Sequence, residues 1–186
     1  MFLLQLYDKL KINQSINYGE IKMKKLLVLL LLMLVPASQC FAQATSPVCT
    51  SEDHDDLDFW VGKWNAVWDG GSGTNEITKE YSGCVIREDF KGSNLLGMSV
   101  STYFPGDKSW HQTWMDEQNG YLNLDGYYDG ADYIFHTTPD ANNPDIQLQM
   151  VFSDIKKDSF TWTWMRTTDG GKNWQNNWQI SYTRVK

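Results

Sequence analysis

Two carboxylates and an amide stand at alternate positions among the tryptophans of this chain. Glu88 shares one face of an extended run with Ile86 and Phe90, opposite Val85, Arg87 and Asp89. Gln112 and Asp116 share another with Trp110 and Trp114. A carboxylate on such a face either finds a partner inside the protein, with Arg166 as a candidate cation, or meets a ligand. An apolar surround raises its pKa and makes it a competent general base. Glu88 and Asp116 are therefore the catalytic candidates, for isomerase- or cyclase-type chemistry. Without catalysis, Gln112 and Glu88 would orient a small molecule gripped by indoles, since pockets combine apolar walls with a few placed polar groups.

Other chemistries find less support. "GMSVS" (97–101) lacks the second glycine of a nucleophile elbow, and "GGSGTN" (70–75) fits neither a P-loop nor a dinucleotide fingerprint. Three dispersed histidines, His54, His111 and His136, make no zinc signature, and no metal ligand set is assigned. The run "SEDHDDLD" (51–58) lacks the glycine and terminal glutamate of an EF-hand loop and reads as a solvated acidic stretch that caps a helix. Alternation turns His111 and His136 away from the aromatic face. A haem held by histidine inside a nitrobindin-like barrel needs one of them inside, so it stands as an alternative, and no cofactor is predicted.

The elements that must position these groups begin after a leader. Met23 to Ala44 carries Lys24 and Lys25, an apolar run from Leu26 to Val35, and a small-residue cleavage site at Ala42-Gln43-Ala44. That is the pattern of a signal peptide, and the apolar run is too short to span a bilayer. Residues 1–22 read as an upstream extension, with translation starting at Met23. The product expected is exported, periplasmic or extracellular, with no stable membrane insertion after cleavage.

Residues 45–186 suit one domain with one core. They hold 11 Lys+Arg against 21 Asp+Glu, a formal net charge of −10. Such a surface repels phosphate backbones, which excludes nucleic acid as a partner. Their two cysteines, Cys49 and Cys84, are expected to pair in an oxidising compartment, two free thiols being the alternative.

Turn signals recur every eight to fifteen residues, between runs rich in Trp, Tyr, Phe, Val, Ile and Thr. They delimit about ten strands: 63–68, 74–82, 84–91, 97–104, 108–116, 120–128, 131–137, 146–153, 159–167 and 174–185. One short helix is expected over 51–60, with Ser51 as its cap. Short connections make an up-and-down meander, and closing it into an all-β barrel removes the exposed edges; a β-sandwich would need long crossovers that are absent.

Tryptophan is costly to leave in water, so the Trp-bearing face is assigned to the lumen. That places Trp60, Trp64, Ala66 and Trp68 inside with Trp110, Gln112 and Trp114, and Trp162, Trp164 and Arg166. Trp174, Trp178, Ile180, Tyr182 and Arg184 follow by the same parity. On the fourth strand Ser99, Ser101 and Tyr103 compete with Val100 and Phe104 for the inner face. The ligand-facing candidates are Trp64, Glu88, Tyr103, Trp110, Gln112, Trp114, Trp162 and Trp164. The reading is a small apolar or aromatic molecule held in the lumen, or else a barrel filled by its own indoles that acts through its surface.

"GKW" (62–64) on the first strand, with Tyr182-Thr183-Arg184 on the last, resembles the lipocalin/calycin signature. That resemblance implies that Arg184 stacks on Trp64 and seals one barrel end, with Gly62 allowing a close approach. "DFWVGKW" (58–64), "WHQTWMD" (110–116) and "DGGKNW" (169–174) resemble small secreted bacterial lipocalin-like proteins of uncertain function. The resemblance implies the fold and leaves the activity open. "TTDGGKNW" (167–174) also resembles the Asp-box hairpin of sialidase-type proteins, in which Asp169 and Trp174 would brace a turn.

Overall fold

The computed structural model describes residues 49–186; the leader and the upstream extension lie outside them. Ten antiparallel strands form a closed barrel: β1 (Gly62–Trp68), β2 (Gly71–Glu80), β3 (Val85–Gly92), β4 (Leu96–Phe104), β5 (Ser109–Asp116), β6 (Tyr121–Tyr128), β7 (Tyr133–Thr137), β8 (Gln147–Lys156), β9 (Ser159–Thr167) and β10 (Gln175–Arg184). Each pairs with the next, and β10 returns to β1 with Trp64 opposite Arg184. Closure leaves no sheet with two free edges, as the sequence leads one to expect. No helix among the described residues is long and apolar enough to cross a membrane.

Alternation delivers the lumen face. Trp64, Ala66, Ile77, Ile86, Phe90, Leu124, Phe135, Phe152, Phe160 and Ile180 are buried in one core. On β4 the contest resolves toward the small residues: Ser99, Ser101 and Tyr103 are buried, whereas Val100 and Phe104 are exposed. The reason lies in the neighbours. Ser99 stands between Glu88 and Trp114 in register, and Ser101 between Ile86 and Gln112. A larger residue at either position would compete with those side chains for lumen space.

The N-terminal segment departs from expectation. Only Glu52–Asp55 is helical, as one 3-10 turn, and Ser51 makes no side-chain cap. Its hydroxyl lies 2.7 Å from Nδ1 of His54 instead. Burial falls on His54, Leu57 and Trp60, three residues apart, which is the repeat of a 3-10 turn rather than of an α-helix. The stretch is therefore not simply a solvated acidic run. Glu52, Asp53, Asp55 and Asp58 are exposed and Asp56 is half-buried, while the three larger residues plug one end of the barrel. Cys49 is bonded to Cys84 in the β2–β3 connection, which ties the plug to the wall.

A second departure is in β10, where a bulge between Asn176 and Trp178 shifts the register against β9. A bulge resets alternation. Trp178 pairs with Trp164 and Ile180 with Trp162, as parity predicts, but Trp174 lies beyond the bulge and leaves the lumen set.

Candidate functional site: a half-open lumen

The two ends of the lumen are built differently. At the plugged end, the guanidinium of Arg184 lies 4.0 Å from the ring centroid of Trp64. It also donates to the carbonyls of Val61 (2.8 Å), Phe59 (3.0 Å) and Lys157 (3.0 Å). Gly62 makes room for it: the backbone there has φ +137°, and a Cβ would collide with the guanidinium. Trp64 donates its indole N–H to the Trp60 carbonyl at 2.7 Å. Phe160 meets its ring edge-on. Tyr103 packs on His54 and Trp110 at the same end. Trp64, Tyr103 and Trp110 therefore do not line open space.

Toward the other end the lumen holds a cavity of about 260 Å³. Trp114, Trp162, Trp164 and Trp178 form its walls with Phe90, Leu122 and Leu124, and Trp60 lies beneath. These four indoles are only half-buried. Trp162 and Trp164 lie parallel, and Trp178 stands perpendicular to Trp162. Trp114 lies across Gly97, where any Cβ would strike the indole. Of the ligand-facing candidates, Glu88, Gln112, Trp114, Trp162 and Trp164 line this cavity.

Its polar groups are few. Glu88 is buried, its oxygens accepting from Asn75 Nδ2 at 2.6 Å and from the Ser99 hydroxyl at 2.7 Å. Asn75 Nδ2 also lies 3.4 Å from the Tyr182 hydroxyl. Burial raises the Glu88 pKa, against the lowering effect of these two donors. Burial and then the nearby Glu88 charge push Tyr182 well above its ordinary value. Gln112 donates to Ser101 at 2.9 Å. Two buried polar atoms lack a protein partner among the described residues: Nε1 of Trp60 and Oδ1 of Asn75.

The remaining sequence candidates take other places. Asp116 reaches the cavity rim but is bound into the β5–β6 turn. Its oxygens accept from Trp114 Nε1 (2.9 Å) and from the backbone N–H groups of Gln118 and Gly120. Those bonds, Trp114 first, hold its pKa below the ordinary value. That is the reverse of a raised-pKa base, and Asp116 leaves the catalytic pair. Arg166 is exposed and does not line the cavity, so it supplies no internal partner for Glu88. Asp169 braces the β9–β10 turn, accepting from Thr167 and Asn173, and these bonds lower its pKa to about 2. Trp174 packs near Gly171 in that turn.

No histidine lines the cavity. His111 is on the outer face between Asp107 (3.0 Å) and Asp125 (2.8 Å), and His136 packs against Tyr127. The haem reading, which needs a histidine inside, thus has none facing this cavity. No three His, Cys, Asp or Glu side chains gather as metal ligands would among the described residues.

Sequence reasoning missed Asn75 and the role of Tyr182 beside Glu88. Asn75 sits in "GTNEIT", which reads as turn-flavoured polar sequence. Only the register, which sets it opposite Trp64 and Phe90, shows it to be internal.

No family model matches the chain, and no curated protein matches it. Among solved structures it is similar to an S-type phycobiliprotein lyase from Guillardia theta, with 13% identity and a TM-score of 0.43 over 70% of this chain and 90% of that one.

Proposed function

We propose that this is an exported binding protein that holds a small, largely apolar or aromatic molecule in the lumen of its barrel. The observation that carries the reading is the cavity of about 260 Å³, walled by indoles and floored by Glu88 and Gln112. A lumen filled by its own side chains would leave no such space, so surface action alone fits less well. Pockets for small molecules have this anatomy of apolar walls and few placed polar groups. The Cys49–Cys84 bond and the leader-like segment 23–44 support export. Acidic composition argues against nucleic-acid partners.

The test is to purify the protein from its native host, extract it with organic solvent and identify released molecules by mass spectrometry. A stoichiometric small molecule that also changes the tryptophan fluorescence of the stripped protein saturably supports the reading. Clean protein that responds to no hydrophobic probe at sub-millimolar concentration contradicts it.

A second reading, an isomerase- or cyclase-type enzyme on the same barrel, is favoured by one observation: Glu88 lines the cavity with a raised pKa and Tyr182 nearby. It expects the co-purified molecule or a close analogue to be converted by the wild type and not by Glu88→Gln. Identical conversion by both proteins removes it.

A further inference from the structure

We infer that the molecule this lumen takes is an organic ammonium: an aromatic or compact apolar body among Trp114, Trp162, Trp164 and Trp178, with a protonated amine against Glu88. The inference rests on the reading of the lumen as a ligand site and adds the charge of the ligand.

The first ground is an imbalance of charge. Among the described residues Glu88 is the one buried carboxylate, and it lines the cavity. Its protein partners, Asn75 and Ser99, are neutral donors, one to each oxygen. No lysine, arginine or histidine is among the cavity-lining residues, and the second carboxylate there, Asp116, is also negative. Buried charges are ordinarily paired, because leaving one unpaired costs several kcal/mol. Among the described residues that line the cavity, none supplies a counter-charge for Glu88. A cation arriving from solvent would supply it, and would favour the ionised carboxyl over the protonated form that burial promotes.

The second ground is the wall. Indole faces carry negative quadrupole potential and are the aromatic surfaces that attract cations best, more strongly once water is excluded. Four indoles and Phe90 surround the space above Glu88. An uncharged apolar ligand would gain burial from them but would leave Glu88 uncompensated. An anionic ligand would meet Glu88, Asp116 and the π faces, all of one sign. The acidic composition of the chain attracts cations from a distance as well.

The third ground is size. A cavity of roughly 150 Å³ accepts a benzene ring. The space here, about 260 Å³, leaves room for a ring plus a short aminoalkyl arm. Glu88 and the four indoles line one cavity, so a ring among the indoles and a charge at the carboxylate would share one space.

The experiment uses the disulfide-bonded protein at pH 7 and four probes of nearly one shape: 2-phenylethylammonium, 2-phenylethanol, propylbenzene and 3-phenylpropionate. Binding is followed by calorimetry and tryptophan fluorescence. The ammonium should bind at least about tenfold more tightly than the alcohol, the expected scale for a desolvated cation among indoles, and the carboxylate most weakly. Glu88→Gln, which keeps the shape and leaves one oxygen to accept from Asn75 while the Ser99 hydroxyl can turn to accept from the new amide, should bring the ammonium to within about twofold of the alcohol and change propylbenzene far less. The four-probe series on the wild type stands without any variant. If the alcohol or propylbenzene binds as tightly as the ammonium, the inference is overturned while the lumen remains a ligand site. If none of the four binds saturably, both readings fall.

Discussion

Trp64 and Trp114 both point into the same barrel, and the surroundings of the two indoles are opposite. Trp64 is wholly buried, with its N–H on the Trp60 carbonyl, one face under Arg184 and an edge against Phe160. Trp114 has its N–H on Asp116 and lies over Gly97, yet it stays half-buried and borders open space. One end of the lumen closes around its tryptophan, and the other leaves its tryptophans with an unfilled side. The same side chain therefore serves stability at one end and, on the proposed reading, recognition at the other, and what differs is whether the neighbours fill the remaining volume.

The sharpest way to break this contrast is at Arg184. Arg184→Ala removes the stack on Trp64 and leaves the carbonyls of Phe59, Val61 and Lys157 without their donor. The expected loss is about 3 kcal/mol, combining a cation–π contact with stranded acceptors. Lys186→Ala, two residues on and exposed, should change stability by less than about 0.5 kcal/mol. Equal denaturant midpoints for the two variants would show that the plugged end is not held by this residue.

The disulfide belongs to the same end and should behave alike. Replacing Cys49 and Cys84, which close a loop of sequence separation 35, by serine should cost about 3–4 kcal/mol, mainly by freeing the unfolded chain. Probe binding to the folded fraction should not change, because neither cysteine borders the cavity. Altered affinity at full folding would mean that the plug and the cavity are coupled.

At the hollow end the order of effects reverses. Trp114→Ala should weaken binding of an aromatic probe by about 1–3 kcal/mol, the range for a buried aromatic contact. Its stability cost should fall below that of Arg184→Ala, since the indole is only half-buried. His111→Ala, on the outer face between Asp107 and Asp125, should leave probe affinity unchanged. Loss of binding in the histidine variant with none in the tryptophan variant would exchange the inner and outer faces.

The smallest effects are in pH, where the cavity and the turn at its rim differ in sign. The Glu88 pKa is raised, so between the ordinary glutamate value and its own the folded state holds the extra proton. Stability from this group is present at low pH and falls as pH rises through that window; Glu88→Gln should flatten the slope there. Asp169 is lowered to about 2, so its contribution is present above the ordinary aspartate value and is lost as pH falls toward 2. Asp169→Asn should remove only the acid limb. Stability profiles of the two variants that coincide with each other would contradict the assignment.

Much of this was legible in the residues. Strand number, closure and the inner face follow from period-two alternation of aromatic side chains, because one face of each strand is buried and a one-residue slip would expose it. The Trp64–Arg184 seal was implied by the likeness at residues 62–64 and 182–184. Alternation fails wherever the backbone leaves the regular pleat. The bulge near Asn177 moved Trp174 out of the lumen, and the 3-10 spacing of His54, Leu57 and Trp60 turned an expected helix into a plug. The polar floor was only half visible. Glu88 and Gln112 stand out among apolar neighbours, but Asn75 and Tyr182 join Glu88 from β2 and β10, and only closure of the barrel brings those strands together. The role of Asp116 was hidden for a different reason: two turn N–H groups, set by the conformation of residues 117–120, hold it as a structural anion.

The contrast between the two ends can be observed directly through the nine tryptophan indole N–H signals in a two-dimensional NMR spectrum of labelled protein. A saturating amount of a small aromatic probe should shift the resonances of Trp60, Trp114, Trp162, Trp164 and Trp178, which border the cavity, and leave Trp64, Trp110 and Trp174 where they are. Shifts at Trp64 or Trp174 with the cavity indoles unmoved, or no shift at any indole, would contradict a ligand-binding lumen.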